Sequence, residues 1–199
     1  MTTDPTIEAY DCRLLDAPPD LDLPRERTRF CALLPRGGRV LDLGAGSGWA
    51  ARRMAADGFR AVALERSAGR VARARGDGAL AFVLGDMRTL PFEAAVFDGV
   101  WACASLLHLS RREMPAALGG IRRLLREGGT LYVSMKAGEG EGWQSRGHDA
   151  ARFFAYYGGD ELDALLAEAG FQRVDGWTSP ASPWDPTHPW LSRFAVVTP

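Results

Sequence analysis

Short apolar runs alternate along most of the chain with stretches in which apolar residues recur at helical intervals. The apolar runs predict buried strands, at residues 40–43, 59–64, 80–84, 95–104 and 130–135. The stretches between and beside them predict helices, at residues 24–34, 49–56, 67–75, 114–126 and 161–169. This alternation is typical of a parallel sheet that is covered by helices on both faces.

Two further apolar runs, residues 171–177 and 193–197, follow the last helix with no helix between them. Consecutive strands joined without a crossover helix pair antiparallel. The fold class expected is therefore α/β, a doubly wound, mostly parallel sheet of seven strands with an antiparallel final pair at one edge. Two glycine signals complete the prediction: Gly128 and Gly129 are expected to end the fourth helix, and residues 138–151 are expected to form a loop.

The first 22 residues are polar and marked by prolines. They are predicted to form an arm or lid, followed by one α/β domain over residues 23–199. Residues 153–157, four of them aromatic, have two interpretations that the sequence leaves open: a second part of the cover, or ordinary core.

Composition narrows the classes of partner. Hydrophobic residues make up 46% of the chain and charged residues 25%, with a net charge of −1, which argues against a nucleic-acid or membrane surface as the main partner. The sequence holds no run of about 18 apolar residues, and a cytoplasmic location is expected. The three cysteines and three histidines share no metal-ligand spacing, so no metal site is predicted. The oligomeric state stays open.

The most informative motif is VLDLGAGSG, residues 40–48, which runs directly into a predicted helix. Glycines at three alternate positions allow the backbone to approach a ligand closely, and the start of the helix presents free N–H groups. Asp42 lies inside the preceding strand. Two roles for its carboxylate remain open: a hydrogen bond to the loop backbone, or a contact with the ligand.

Polar residues also follow the next predicted strands. Glu65 ends the second, Asp86 and Met87 follow the third, and Cys103 and His108 lie at and after the end of the fourth. In an open α/β sheet, ligands bind outside the carboxyl ends of the strands, near the point where strand order reverses. The sequence therefore predicts a ligand site at this edge of the sheet.

With these motifs in this order, the sequence resembles the class I S-adenosylmethionine-dependent methyltransferases over roughly residues 36–199. The closest likeness is to small single-domain members that methylate metabolites. The resemblance implies S-adenosylmethionine as the cofactor and a small-molecule methyl acceptor as the partner. It places the amino-acid end of the cofactor at the residues around the glycine turn, which are Asp42, Gly44, Ala45, Gly46 and Gly48.

The resemblance also implies roles for the other strand ends. Glu65 would accept both ribose hydroxyls, since a carboxylate offers two acceptor oxygens. Asp86 would accept from the adenine amino group between the walls Arg66 and Met87, and Cys103 would lie beneath the cofactor. Two catalytic candidates follow: His108 facing the substrate, with a purely structural histidine as the alternative, and Tyr10 in the arm.

The function expected is methyl transfer by in-line displacement, with two alternatives. A methyltransferase-like domain can bind the cofactor without catalysis, because the cofactor motifs say nothing about turnover. The second alternative is an NAD(P)-dependent oxidoreductase. Gly46, Gly48 and Ala51 satisfy a relaxed dinucleotide-binding fingerprint, and Glu65 follows at a spacing along the sequence that suits a ribose-binding acid.

Overall fold

The computed structural model describes residues 23–74, 80–145, 151–181 and 187–198. The predicted arm with Tyr10 and residues 146–150 lie outside these ranges. The described elements are, in chain order, α1 (Pro24–Ala32), β1 (Arg39–Leu43), α2 (Trp49–Ala56), β2 (Arg60–Glu65), α3 (Ala68–Ala74), β3 (Ala81–Leu84), β4 (Phe97–Cys103), a 3₁₀ turn (Leu106–His108), α4 (Met114–Leu124), β5 (Leu125–Lys136), β6 (Glu141–Gln144), β7 (Arg152–Ala155), α5 (Gly159–Glu168), β8 (Phe171–Ser179) and β9 (Trp190–Val197).

Seven strands form one sheet in the order β3-β2-β1-β4-β5-β9-β8. The first five pair in parallel, and β9 runs antiparallel between β5 and β8. The predicted fold class, including the antiparallel edge pair, is confirmed. Strand order reverses between β1 and β4, which sets the position expected for a ligand.

Alternate residues of β1 face the two helical layers, as the period of a strand requires. Leu41 and Leu43 pack in one cluster with buried residues of α4 and α5. Val40 packs on the opposite face with Phe30 of α1 and Met54 of α2. The central strand is thus buried on both sides, which explains its nearly continuous apolar sequence.

One prediction about glycines is wrong. Helix α4 ends at Leu124, and β5 begins at the next residue. The last carbonyls of the helix are bound by the chain entering β4: the N–H groups of Ala95 and Val96 donate to the oxygens of Arg123 and Leu124 at 2.9 Å each. Gly128, with φ of +69°, instead lies in the irregular stretch of β5 where its register against β4 shifts.

The predicted loop at residues 138–151 is wrong at residues 141–144, which form β6 and pair antiparallel with β7 as a hairpin. Backbone bonds tie its base to the following chain, from Tyr156 N–H to Gly140 O (2.9 Å) and from Gly138 N–H to Tyr157 O (3.1 Å). Phe154, Tyr156 and Tyr157 are buried, which favours core over lid for residues 153–157. Glycine has a weak propensity for strands, and the burial of aromatic side chains such as Phe154 outweighs the effect of the glycines at residues 138–142.

A carboxylate lies in the buried central strand. Asp42 is 4% exposed, and its Oδ2 accepts a hydrogen bond from the Ala51 N–H at 3.1 Å. Burial raises the pKa of Asp42 to about 7; the Ala51 N–H opposes this rise, and the charge of Glu65 adds to it. Among the described residues, no helix has the length and apolar character needed to cross a bilayer.

Asp42 should make the folded protein less stable as pH rises. The pKa of this carboxyl is 3.8 in an unfolded chain and about 7 in the fold. Between these two pH values the folded state therefore binds more protons than the unfolded state. Asp42→Asn keeps an oxygen for the Ala51 N–H and removes the titration. We expect its free energy of unfolding in urea near pH 8 to exceed that of the wild type by on the order of 1–4 kcal/mol, with the difference disappearing near pH 4.

Asp98→Asn is a control of opposite sign. The Asp98 carboxylate accepts from the Arg39 N–H (2.7 Å) and the Arg126 guanidinium (2.6 Å), and these contacts outweigh burial and lower its pKa. Its contribution to stability is present above its unfolded pKa and lost as pH falls. Asp98→Asn should therefore be less stable than the wild type near pH 8. A loss of stability in both variants at that pH would contradict the account of Asp42.

Candidate functional site

The glycine turn closes the carboxyl end of β1. Gly44, Gly46 and Gly48 have φ values of +73°, +58° and +77°, so each adopts a conformation that disfavours a side chain. A Cβ on Gly44 would lie 2.6 Å from the Cβ of Ser105, whereas one on Gly46 would meet, among the described residues, only the Arg70 guanidinium, at 3.4 Å. The turn is therefore packed against the protein at Gly44 and open at Gly46.

Glu65 fixes the conformation of this turn. Its Oε2 accepts a hydrogen bond from the Gly46 N–H at 2.8 Å, and its Oε1 accepts one from the Ser67 N–H at 2.9 Å. The carboxylate is 5% exposed, and the Arg70 guanidinium lies 3.9 Å from Oε2. Each oxygen retains a second lone pair. One side chain thus joins the ends of β1 and β2 and keeps acceptor capacity for a ligand.

Backbone bonds complete the connection between β1 and β2. The N–H groups of Gly44 and Ala45 both donate to Leu64 O, at 2.9 and 3.0 Å. Asp42 satisfies the Ala51 N–H in the first turn of α2, where helix N–H groups otherwise lack partners. Of the two roles left open for Asp42, the backbone contact is present in the structure. It holds the helix start against the central strand.

The end of β3 brings Asp86 and Met87 to the same edge. Asp86 Oδ1 accepts from the Arg88 N–H (2.9 Å) and its guanidinium (3.2 Å), and Arg88 also donates to Glu113 at 2.7 Å. The side chain of Asp86 is 37% exposed, so its oxygens remain accessible. The methyl carbon of Met87 lies next to the glycine turn, 3.4 Å from the Cβ position of Gly44. Arg66 follows β2 and is exposed.

The end of β4 carries the Cys103 thiol, and the following chain brings the Ser105 hydroxyl against Gly44 of the turn. Burial, with the nearby Asp42 charge, raises the pKa of Cys103 to about 12, so the thiol stays protonated at neutral pH and is a poor nucleophile. Ser105 is 3% exposed, and its Oγ has no hydrogen-bond partner among the residues that the structure describes. A buried hydroxyl left unpartnered is costly, which marks Ser105 as a position where a ligand can contribute a bond.

His108 lies in the 3₁₀ turn after β4, against the hairpin. Its Nδ1 donates to Phe153 O at 2.8 Å, and its ring lies 4.9 Å from that of Phe154. Burial lowers the pKa of His108 to about 4; the bond to Phe153 opposes this, and the charges of Arg152, Lys136 and Arg66 lower it further. The imidazole is therefore neutral near pH 7, with Nε2 as an acceptor.

Two residues at this end of the sheet were not identified from the sequence. Lys136, the last residue of β5, is 6% exposed, with its Nζ 4.1 Å from the Phe154 ring centroid. Arg152 of β7 lies over the same ring at 5.2 Å. A sequence signal existed for the first, since Lys136 is the only lysine in the chain. In the described ranges, no group of three or more His, Cys, Asp or Glu side chains is arranged to hold a metal ion.

Comparison with known proteins agrees with this geometry. A family model described as a methyltransferase domain matches residues 40–129, which run from β1 to the irregular start of β5. An O-methyltransferase of Aspergillus nomiae, rstn1, is 31% identical over 152 residues, covering 70% of this chain and 67% of the relative. A malonyl-[acyl-carrier protein] O-methyltransferase of Erwinia pyrifoliae is 34% identical over 118 residues, covering 56% of this chain. The match spans only 44% of that relative's length.

Solved structures share the fold at low sequence identity. The 1,6-didemethyltoxoflavin-N1-methyltransferase of Burkholderia thailandensis, solved with S-adenosylhomocysteine, superposes with a TM-score of 0.75 at 24% identity, covering 100% of this chain and 92% of that one. The [4+2]-cyclase SpnF superposes with a TM-score of 0.69 at 22% identity, covering 87% of this chain and 80% of SpnF. Fold, glycine turn and relatives lead to one conclusion: the chain belongs to the class I S-adenosylmethionine-dependent methyltransferases.

Proposed function

We propose that this protein transfers a methyl group from S-adenosylmethionine to a small-molecule acceptor. The observation that carries the proposal is the Glu65 carboxylate, which is buried at the carboxyl end of β2 and accepts a hydrogen bond from the N–H of Gly46, the open glycine of the turn. Near-neutral net charge supports a small molecule over a nucleic acid as the acceptor. Cys31 and Cys103 are free thiols, which supports a reducing, cytoplasmic location.

The residues present fit this cofactor. Its donor groups are an ammonium, two ribose hydroxyls and an adenine amine, and the strand ends offer acceptors in the same order: Asp42, Glu65 and Asp86. The turn is open at Gly46, where a ligand can approach the backbone. The buried, unpartnered Oγ of Ser105 adds a hydroxyl on the floor of the same site.

We assign the binding roles accordingly. The turn of Gly44, Ala45, Gly46 and Gly48 holds the amino-acid end of the cofactor. Glu65 takes the ribose hydroxyls with its remaining lone pairs, Asp86 takes the adenine amine, and Met87 and the exposed Arg66 flank the ring. Cys103 lies beneath the cofactor as a neutral, small side chain. Tyr10, outside the described residues, remains a candidate from sequence alone.

The bound cofactor supplies a methyl group on a positively charged sulfur, already activated for displacement. The protein's task is to align an acceptor and keep water out. The buried 3₁₀ turn and the hairpin aromatics form an apolar wall for this purpose. Nε2 of His108 can accept a hydrogen bond from an acceptor hydroxyl and orient it.

Binding alone does not establish methyl transfer, since the [4+2]-cyclase SpnF shares this fold. The test is a screen of small-molecule extracts with methyl-labelled S-adenosylmethionine, with calorimetric titrations of S-adenosylhomocysteine and NADH in parallel. We expect labelled product and binding of S-adenosylhomocysteine but not of NADH. Binding without labelled product would favour a non-catalytic protein, and binding of NADH alone would favour an oxidoreductase.

Glu65→Gln should weaken the cofactor site without unfolding the protein. The amide replaces one acceptor oxygen by a donor that faces a backbone N–H, and the charge that strengthens bonds to ribose is lost. A loss of roughly 1.5–3 kcal/mol predicts that calorimetry shows at least about tenfold weaker S-adenosylhomocysteine binding. The exposed Glu168→Gln is the matched control, with unchanged affinity. If the two variants bind S-adenosylhomocysteine with equal affinity, Glu65 does not contribute to cofactor binding.

Gly46→Val should abolish binding, because a branched side chain disfavours φ of +58° and projects where the ligand approaches. Gly58→Val controls for backbone strain: Gly58 has φ of +93°, and its Cβ position meets no atom of the described residues within 4 Å. Both variants should keep helical circular dichroism. If they bind S-adenosylhomocysteine equally well, the ligand does not contact this turn.

A further inference from the structure

Two hydrogen bonds join the chain after β4 to strand β7 and the residue that follows it. The imidazole Nδ1 of His108 donates to Phe153 O at 2.8 Å. Three residues further along both segments, a guanidinium N–H of Arg111 donates to Tyr156 O at 2.5 Å. Both bonds join residues 45 positions apart, so the two segments run side by side. Three residues of extended chain span about 10 Å, and the strand is thus held at two separate points.

Arg111 makes further contacts at the second of these points. Its backbone N–H donates to the Glu141 carboxylate at 2.6 Å, and its guanidinium also donates to the Glu161 carboxylate. Glu141 begins β6, and Glu161 lies in the first turn of α5. The guanidinium carbon lies 4.6 Å from the ring centroid of Tyr157, which is 1% exposed. Arg111 thus ties the hairpin and the start of α5 to the segment that carries His108.

The planar guanidinium is suited to this place because its N–H groups diverge. One nitrogen reaches Tyr156 O while another reaches the Glu161 carboxylate. A lysine carries the same charge on a single nitrogen and cannot reproduce this fork. The side chains of Arg111 and Glu161 are 34% and 40% exposed, so their attraction alone contributes little. What Arg111 supplies is therefore the geometry of its bonds more than its charge.

The first point of attachment decides the protonation of the imidazole. A carbonyl oxygen only accepts, so Nδ1 of His108 carries the proton and Nε2 is left as an acceptor. Burial lowers the pKa of His108; the bond to Phe153 opposes this, and the charges of Arg152, Lys136 and Arg66 lower it further. The tautomer and the pKa therefore both depend on β7 remaining against the 3₁₀ turn.

We propose that Arg111 is a positioning residue for methyl transfer. By holding the chain after β7 against the chain after β4, it keeps Nε2 of His108 oriented to accept a hydrogen bond from the methyl acceptor. Arg111 acts through His108 and needs no contact of its own with the reacting atoms. This inference rests on the proposed function, since it concerns the residue assigned there to orient the acceptor.

The first measurement is nitrogen NMR of the labelled protein without ligand, with His108→Gln used to identify the signals of this ring. The wild type should show the tautomer with the proton on Nδ1. Arg111→Lys should show a mixture of tautomers, because the bond to Phe153 is loosened. Its His108 pKa should rise from about 4 by about one unit or more as the imidazolium regains water. Arg112→Lys, at an exposed position, is the matched control and should match the wild type.

The second measurement follows labelled product formed from methyl-labelled S-adenosylmethionine and a small-molecule extract. Arg111→Lys should lower the initial rate by about tenfold or more, since a small misplacement of an orienting group is costly. Its affinity for S-adenosylhomocysteine should not change. His108→Gln should be slowed at least as much. The double variant should be no slower than His108→Gln alone, because two residues that act through one group are not additive.

The outcomes separate the two claims. If the wild type binds no S-adenosylhomocysteine or forms no labelled product, the proposed function fails and this inference with it. If the wild type transfers methyl groups but Arg111→Lys keeps the wild-type tautomer or the wild-type rate, the inference alone is overturned. Additive losses in the double variant would overturn it as well, because Arg111 would then act independently of His108. Helical circular dichroism checks folding, and Glu161→Gln, which weakens the same attachment, is measured in the same way if Arg111→Lys does not fold.

Discussion

The site depends on one buried carboxylate that holds two backbone segments at once. Glu65 accepts from the N–H groups of Gly46 and Ser67, so the glycine turn after β1 and the chain after β2 are fixed relative to each other. A buried carboxylate is stable only when hydrogen bonds replace its lost hydration. That requirement shapes the turn in advance, and a ligand that uses the remaining lone pairs finds its acceptors already placed.

The two ends of the proposed site carry opposite charge. Acids at the ends of β1, β2 and β3 suit a ligand with an ammonium, hydroxyls and an amine. Beyond β4, the cationic groups of Lys136 and Arg152 lie against the Phe154 ring. The neutral thiol of Cys103 and the neutral imidazole of His108 lie at the end of β4, between the two regions. The topological switch of the sheet, between β1 and β4, separates the two regions.

Much of this arrangement could be predicted from sequence because it depends on local patterns. Apolar runs located the strands, and each strand end carried a polar residue that the parallel topology brings to one edge. The backbone partners of Glu65 could not be predicted, since they depend on the φ values of a turn whose glycines permit several conformations. Gly128 and the hairpin were assigned wrongly for a related reason: tertiary contacts from β4 and from buried aromatics outweighed local propensity. Lys136 stands out in the sequence as the only lysine, but its place at the site could not be predicted, because only folding brings it beside Phe154.

The most direct test of the central claim is a crystal structure of the protein with S-adenosylhomocysteine. We predict that the ribose hydroxyls bond to the Glu65 carboxylate while its bonds to Gly46 and Ser67 persist, with the amino-acid portion lying over the glycine turn. A ligand bound elsewhere on the sheet, or a Glu65 side chain that leaves the turn and makes no contact with ribose, would contradict the account.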